Sequence, residues 1–338
     1  MISPTTYENN LVPPVVAPEE DHHGNTHWVS RAAFPIVNAA LFGTQISLGF
    51  AYHFGLIWLC VPLVTLVSHF MHGILIGFHE ASHGLLRKSR FLNEADGLII
   101  GTFSFMSFTL YRAAHQKHHS HLATERDVEL WPFVIVGTPR WARRLAAFIE
   151  LNAGILFTPF LFLRIFLPKD SFIKNKRVRR RIWNEYALMA VVWTTILATV
   201  SWFHVWDYYL LVFLLPGVIA GNLQSWRKYI EHVGLSGHTA RSATRSIVAD
   251  TWPGRLLSLT LLHEPLHGIH HIKMALPHEE LPLHTPLLDP ADEGDVPPFP
   301  NYRSAVMHLL RNLSDPKSGS HWPDAETKPN NTSRQPAS

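Results

Sequence analysis

The stretch "FHEASHGLL" at residues 78–86 ends one of the long apolar runs of the chain. Two more histidine-rich stretches follow it, "HQKHH" at 115–119 and "LLHEPLHGIHH" at 261–271. The first and the third contain H-E-x-x-H, a pattern that on a helix is typical of zinc proteases. A protease needs that pattern once, so its repetition around a further histidine cluster requires another explanation.

The composition of the chain differs from that of a soluble domain. Of its 338 residues, 47% are apolar and only 16% are charged, whereas an average soluble domain has about 25% charged residues. The 23 histidines nearly equal the 26 acidic residues in number, and the formal charge of +3 gives no reason to expect nucleic acid as a partner. The one cysteine, Cys60, excludes an intrachain disulfide and a thiolate-held iron–sulfur cluster.

Four apolar stretches are long enough to cross a bilayer as helices, which takes about 20 residues. They are 33–52, 56–78, 186–204 and 208–225. Two others, 97–110 and 145–167, are too short or too polar, and we expect both to lie in or near the membrane interface. The predicted fold class is an all-α integral membrane protein with four transmembrane helices and a cytoplasmic helical cap that carries the histidine boxes.

The basic residues indicate which side of the membrane each connection faces, because Lys and Arg favour the cytoplasm. The connections at 52–55 and 204–208 contain no Lys or Arg, whereas the others do, most densely in "KNKRVRRR" at 174–181. With four crossings, these basic groups, all three histidine stretches and both termini face the cytoplasm. We therefore expect a multi-pass protein of a bacterial inner membrane.

The histidines repeat at helical spacings, at which residues three or four apart share one face. Eight of them fall into a pair and two trios, and a ninth lies shortly after the fourth span: His79 and His83, His115, His118 and His119, His267, His270 and His271, and His232. A structural zinc site takes four ligands and a catalytic one usually three. Nine imidazoles therefore suit two metals of five or six coordination.

Imidazole binds Zn, Cu, Fe or Ni, so the ligand type alone does not identify the metal. A two-metal centre at the membrane surface, above an apolar helix bundle, is suited to chemistry on a hydrocarbon chain. Unactivated C–H bonds resist hydrolysis and acid–base attack, and breaking them requires a redox metal and usually O₂. Iron meets this requirement, whereas zinc has no accessible redox step.

In order and spacing, "HEASH", "HQKHH" and "HGIHH" resemble the three histidine boxes of the membrane fatty-acid desaturase and hydroxylase superfamily. The resemblance covers residues 31–285 and leaves 1–30 and 286–338 as polar, proline-bearing segments that we expect to be flexible. It implies two ferrous ions held by these eight histidines, and His232 resembles the extra ligand that relatives carry. It also implies O₂ as co-substrate and electrons from an external donor such as a ferredoxin, a cytochrome or a reductase, since the sequence has no dinucleotide motif or fused redox domain.

Further residues are candidates to complete the centre, either as additional ligands or as partners that orient the imidazoles. They are His263, Glu80, Glu231, Glu264 and Asp127, with Arg227 as a weaker candidate. No side chain outside the metal centre is assigned a catalytic role. Pro265 disfavours a regular helix through the second H-E-x-x-H, so that copy of the pattern is interpreted as incidental.

The leading hypothesis is O₂-dependent oxidation of a long-chain fatty acyl substrate in the membrane lipid, with desaturation as the main outcome. The same ligands would support hydroxylation, or oxidative decarboxylation of a fatty acid to a terminal alkene. A different class is an intramembrane zinc metalloprotease with His79 and His83 as ligands and Glu80 as base, but it leaves two histidine clusters without a use. A metal transporter would place its ionisable groups near the bilayer midplane, whereas these clusters lie at the ends of spans.

Overall fold

The computed structural model describes residues 28–322, and the regular structure in that range is helical. In chain order the helices are α1 (Ala33–His53), α2 (Ile57–His83), α3 (Arg90–Phe103), α4 (Phe108–Ser120), α5 (Arg140–Phe166), α6 (Lys176–Trp202), α7 (Trp206–His232, π-helical over Tyr209–Leu214), α8 (Trp252–Thr260), α9 (His267–Ile272) and α10 (Tyr302–Asn312). Single α-helical turns lie at Trp28–Arg31 and Ala240–Ala243, and 3-10 segments at Glu264–Leu266 and Leu281–Leu288. The all-α prediction is confirmed for the described residues.

Five of these helices, α1, α2, α5, α6 and α7, are long and apolar enough to cross a membrane, by length and composition. The predicted four crossings are one fewer than the candidates, because α5 covers the stretch 145–167, for which the sequence predicts an interfacial position. Large apolar side chains point outward from these helices, among them Trp202 at 80% exposure and Leu156 at 73%. Such extended apolar surface fits a membrane protein.

The helices α2 and α7 continue beyond the predicted spans and carry histidines at their last turns. The apolar runs end at residues 78 and 225, but the helices end at His83 and His232. α2 stops at Gly84, whose left-handed backbone (φ 81°) is a common conformation after the last helical residue. Because α2 is unbroken, His79 and His83 lie one turn apart on the same face.

The stretch 97–110 contains the junction between two helices. α3 ends at Phe103 and α4 begins at Phe108, after a turn that Ser107 closes as the N-cap of α4. The Ser107 hydroxyl also donates to the Glu185 carboxylate of α6 at 2.6 Å. The helix that carries the second histidine box is therefore tied to the first half of α6.

A second link between these helices runs through one carboxylate. Glu94 of α3 accepts hydrogen bonds from Arg112 of α4 and from Arg181 of α6, each at 2.5 Å. Arg112 lies one turn before the second histidine box. The start of α6 is thus at the same end of the bundle as the histidines.

Both ends of α5 also contact this end of the bundle. At its start, Arg143 donates to the carbonyl of Pro316 at 2.9 Å. At its end, the Phe166 carbonyl accepts from Arg179 at the start of α6 at 3.1 Å. Between them the helix is kinked at Ala153 (φ −137°, ψ 40°). Unlike its neighbours, α5 does not run straight along the bundle.

The third histidine box follows two residues with left-handed backbone. Leu262 and His263 have φ angles of 49° and 56°, and the 3-10 turn Glu264–Leu266 leads into α9 at His267. A left-handed conformation is costly for residues other than glycine, so this turn is held by its surroundings. His263 and His267 do not share a helix face, in agreement with the interpretation that the second H-E-x-x-H is incidental.

Residues 302–322 pack against the helices, so the expectation of a flexible tail is wrong for this part of the chain. α10 buries Ala305 and Leu309, and the Arg245 guanidinium donates to His308 at 2.9 Å. The polar and proline-rich composition of the segment obscured this short amphipathic helix. Of the predicted flexible segments, 1–27 and 323–338 lie outside the described residues.

Candidate metal centre

The three histidine boxes and His232 converge at one end of the bundle. α2 contributes the first box, α4 the second and α9 the third, and α7 ends at His232. The imidazoles separate into two groups. The five-histidine group consists of His79, His83, His115, His119 and His270, and the four-histidine group of His118, His232, His267 and His271.

His119 lies in the middle of the five-histidine group. Its Nε2 is 3.0 Å from Nε2 of His115 and 3.1 Å from Nε2 of His270. The rings of His79 and His83 complete the group, and a ligand nitrogen of each of the five histidines lies within 4.8 Å of the others. All three boxes therefore contribute to this group.

His267 has the same position in the four-histidine group. Its Nε2 is 2.8 Å from Nε2 of His232 and 3.0 Å from Nε2 of His271. The ring centroid of His118 is 4.8 Å from that of His232 and 5.1 Å from that of His271. The first box does not contribute here, and His232 takes its place.

The short nitrogen–nitrogen distances are those that a shared metal ion imposes. Two imidazole nitrogens bound to one ion at about 2.1 Å and at right angles lie about 3 Å apart. In addition, Nε2 of His79 and Nε2 of His83 are buried without a hydrogen-bond partner in the protein. Buried polar atoms are rarely left in that condition unless a ligand uses them. The residues in each group therefore fit a bound metal ion.

The protonation of the rings also suits metal binding. Burial lowers the pKa of His119, His270 and His271 well below the usual value, so these imidazoles are neutral near pH 7. Neutral imidazole is the form that binds a metal. His118 differs, because burial alone would lower its pKa but the neighbouring Asp127 carboxylate raises it.

Buried carboxylates orient the rings of the second box. Asp127 accepts from Nδ1 of His118 at 2.8 Å, and Glu129 accepts from Nδ1 of His115 at 3.1 Å. A ring that donates from Nδ1 presents Nε2 to the metal. Asp127 is among the predicted candidates, but Glu129 was missed. Its position two residues after Asp127, in the same loop after the second box, was the available signal.

Glu264 contacts both histidine groups. One of its oxygens accepts from Nδ1 of His267 at 2.9 Å, and the other lies 3.2 Å from Nδ1 of His79. Arg227 is buried beside Glu264 and pairs with it and with Glu231, the latter at 2.8 Å. Both acids therefore lie next to histidines of the centre, where the sequence placed them, and Glu264 links the two groups.

Glu80 lies behind the first box. Its Oε2 accepts from the backbone N–H of His278 at 3.3 Å, and its Oε1 is 3.8 Å from Nδ1 of His79. The imidazole of His278 is itself buried and pairs with Glu279 at 2.9 Å. His278 is not among the residues predicted to complete the centre, because its distance along the chain from the first box hides this contact.

His263 belongs to neither group. Its Nδ1 lies 3.2 Å from the hydroxyl of Ser258, and its Nε2 lies 3.2 Å from the hydroxyl of Ser30. Both ring nitrogens are thus engaged with hydroxyl groups. A role for His263 as an additional ligand has no support among the described residues.

Buried carboxylates and one buried guanidinium surround the histidines. Arg227 and five buried carboxylates lie against the rings or against each other: Asp127, Glu129, Glu231, Glu264 and Glu80. The carboxylates outnumber this guanidinium, so they favour cations bound beside them. Buried charge of one sign is strongly unfavourable without compensation. The charge and the donor set together fit two metal ions.

The fold and the site define a helical protein with candidate membrane spans and a histidine-rich candidate metal centre. A sequence model of the family described as "Fatty acid desaturase" matches residues 56–302, which include all nine histidines and the five carboxylates. The protein belongs to the fatty acid desaturase family. Membership supports fatty acid oxidation chemistry and an oxidoreductase role.

A curated relative supports the same assignment. The chain is 23% identical to a protein of Bacillus subtilis (strain 168) named "Fatty acid desaturase". The similarity extends over 238 residues, which is 66% of this chain and 66% of the relative. The match thus spans about two thirds of each protein.

Proposed function

We propose that the protein catalyses O₂-dependent oxidation of a long-chain fatty acyl substrate at a di-iron centre held by nine histidines, with desaturation as the main outcome. The observation that carries this proposal is the set of imidazole nitrogens 2.8–3.1 Å apart in two groups. The family supports a fatty acid substrate. Iron is favoured over zinc because removing hydrogen from an unactivated C–H bond needs a redox metal.

The residues of the centre have distinct tasks in this proposal. Each histidine group would hold one ferrous ion, and the bound pair would supply the redox chemistry for O₂ reduction and hydrogen abstraction. Asp127, Glu129 and Glu264 hold the Nδ1 protons of their imidazoles and so direct Nε2 towards the metal positions. The residues 261–270 are all buried, which limits the access of bulk water.

Desaturation also needs electrons from outside the substrate. Two hydrogen atoms from adjacent carbons, two further electrons and two protons together reduce O₂ to two water molecules. An external donor, such as a ferredoxin, a cytochrome or a reductase, would supply the electrons. Exposed Lys174, Lys176 and Arg177 near the histidine end of the bundle favour a donor with an acidic surface.

For the membrane topology, we propose four crossings, by α1, α2, α6 and α7. The contacts of both ends of α5 with the histidine end of the bundle support a helix that enters the membrane without crossing it. Four crossings put the basic segments and the histidines on one side, which the preference of Lys and Arg makes the cytoplasm. The proposed location is a bacterial inner membrane, with both termini and the centre on the cytoplasmic side.

The same ligands would also serve hydroxylation, or oxidative decarboxylation to a terminal alkene. These outcomes differ in how the acyl chain is placed relative to the metals. A zinc metalloprotease is less well supported, because His79 and His83 lie with His115, His119 and His270 in one group. Five imidazoles exceed the three protein ligands usual in a catalytic zinc site.

Metal analysis of the purified full-length protein tests the centre. About two irons per chain would support the proposal, whereas a single zinc would contradict it and favour the protease. Reaction with a reductant and acyl substrate should yield product in air and none without O₂. Product formed without O₂ would refute the oxidase.

Lipid analysis then identifies the reaction. The gene is expressed in a host with a simple lipid profile, and its lipids and the headspace gas are examined by mass spectrometry. A new double bond is the expected result. A new hydroxyl group or a volatile alkene would instead establish one of the two alternative outcomes.

A further inference from the structure

The residues 314–322, here called the strap, lie beyond the end of the family match at residue 302. They form no helix but are firmly packed, and Ser318 is only 1% exposed. The strap lies between the segment that follows α7 and the loop that follows the second histidine box. Its contacts with each of these are specific.

On one side the strap binds the chain directly after a histidine of the centre. The Gly234 N–H donates to the Lys317 carbonyl at 2.7 Å. The Ser318 hydroxyl donates to the carbonyl of His232 itself at 3.2 Å. A further backbone hydrogen bond of 2.8 Å runs from Gly319 to the same segment. The exit of the chain from α7 is therefore fixed by the strap.

On its other side the strap binds the loop after the second box. The Phe133 carbonyl accepts from the Ser318 N–H at 3.0 Å and from the indole N–H of Trp322 at 3.1 Å. Nε2 of His321 lies 2.7 Å from the Val134 carbonyl, close enough for a hydrogen bond. The carboxylates that orient the rings of the second box lie in the preceding part of this loop. The strap thus holds the two segments at a fixed separation.

Arg143 of α5 anchors the strap. Its guanidinium pairs with Asp315, donates to the Pro316 carbonyl at 2.9 Å and lies 4.4 Å from the ring centre of Trp322. The Arg143 side chain is almost completely buried. One cation therefore secures both ends of the strap.

We propose that the strap is a positioning element for the four-histidine group. It fixes the backbone at His232 relative to the loop that orients His118, so that imidazoles from two distant parts of the chain meet at one metal position. This inference rests on the proposed di-iron function. In the five-histidine group, by contrast, no histidine adjoins a residue with a described hydrogen bond to the strap, and the indirect link is Glu129, the partner of His115.

A pair of truncations tests the inference. Ending the chain after Leu313 removes the strap, whereas ending it after Trp322 removes only residues 323–338 and serves as the control. We expect about two irons per chain in the full-length protein and in the control, and about one in the strap deletion, with unchanged helical circular dichroism. Two irons in the strap deletion would overturn the inference, and so would loss of both ions from a folded chain. Fewer than two irons in the full-length protein would instead refute the proposed function.

A point substitution tests the strap in case the deletion does not fold. Trp322→Ala removes the stacking with Arg143 and the indole hydrogen bonds, and Trp141→Ala removes a 69% exposed tryptophan of α5 as the matched control. Iron release is measured by transfer to a chelator, and two kinetic phases are expected, one for each ion. In Trp322→Ala we expect the rate of one phase to increase about ten- to hundredfold. The control should release iron like the unmodified protein. Equal acceleration of both phases, or none, would contradict the positioning role.

Discussion

The two histidine groups offer the same donor atom but are constructed differently. The five-histidine group consists of one-turn pairs on α2 and α4 and one ring from α9, and Nδ1 of His119 and Nδ1 of His270 are buried without a hydrogen-bond partner. In the four-histidine group, His118 donates to Asp127, His232 is 3.2 Å from the Ala243 carbonyl, and His267 donates to Glu264. Helix geometry defines the first group, whereas contacts between distant segments define the second.

This difference predicts different sensitivities. A group held mainly by helical spacing should depend less on residues outside its helices, with Glu129 beside His115 as the described exception. A group defined by carboxylates, carbonyls and the strap depends on residues far away in sequence. The following predictions examine this contrast.

The largest effects are expected from replacing adjacent histidines that belong to different groups. His270→Ala removes a ring from the five-histidine group, and His271→Ala removes one from the four-histidine group. Each variant should lose more than about a hundredfold in turnover, beyond the usual cost of losing a partner that orients a ligand. Each variant should insert normally into the membrane and retain about one iron. In His270→Ala this iron should be the one in the four-histidine group, and in His271→Ala the one in the five-histidine group. Retained turnover in either variant would refute the assignment of that ring.

Substituting the two carboxylates that orient the histidines of the second box should have intermediate effects. Asp127→Asn alters the hydrogen-bond acceptor of His118, and Glu129→Gln alters the acceptor of His115. A loss of about ten- to hundredfold in metal affinity is expected for such partners. Asp127→Asn should be the more damaging, because its carboxylate also accepts three backbone N–H groups of its own loop. Chelator titration of the two variants measures the difference, and an equal loss of both ions in each variant would contradict the separation into two groups.

A smaller effect is expected where α2 meets α8, which leads into the third box. A Cβ added at Gly73 would lie 2.6 Å from the Thr260 carbonyl oxygen, whereas a Cβ at Gly43 has no atom within 4 Å. Gly73→Ala should therefore destabilise the protein by about 1–3 kcal/mol through overpacking, and Gly43→Ala should not. Thermal unfolding of the solubilised proteins compares them. Equal melting temperatures would show that the two helices can separate without cost.

Acidification of the metal-free protein should also lower its stability. Burial lowers the pKa of His115, His119, His270 and His271, and lowers that of His267 to about 4. Below the ordinary histidine pKa of about 6.5, the unfolded chain therefore binds protons that these folded rings do not. The free energy of unfolding should fall as the pH decreases from 7 towards 5. His118 belongs to the four-histidine group, and its raised pKa opposes this trend there. A melting temperature independent of pH in this range would contradict the burial of the rings.

The convergence of the histidines could be predicted from the sequence because it depends on local periodicity. Spacings of three and four residues put the rings of each box on one helix face, and the apolar spans bring the boxes to one end of the bundle. The same information does not show that α2 continues to His83 and α7 to His232, since the apolar runs stop earlier. Helix length beyond a span depends on the packing of the cap.

Other features depend on contacts between distant residues and could not be predicted. His263 is directed towards Ser30 by two successive residues with left-handed backbone, neither of which is glycine. No sequence pattern indicates such a conformation. The kink at Ala153 does not coincide with Pro159, which is the residue that the sequence would favour for a break. The strap was hidden because its composition is typical of a flexible tail.

The position of the strap along the chain also affects how the protein matures. Growing chains emerge at about 5–20 residues per second. The last histidine of the centre is His271, and the strap begins at Ser314, so at those rates every imidazole leaves the ribosome about two to nine seconds before the segment that completes the second position. We therefore expect nascent protein to load its ions in a fixed temporal order, with the four-histidine position filled last.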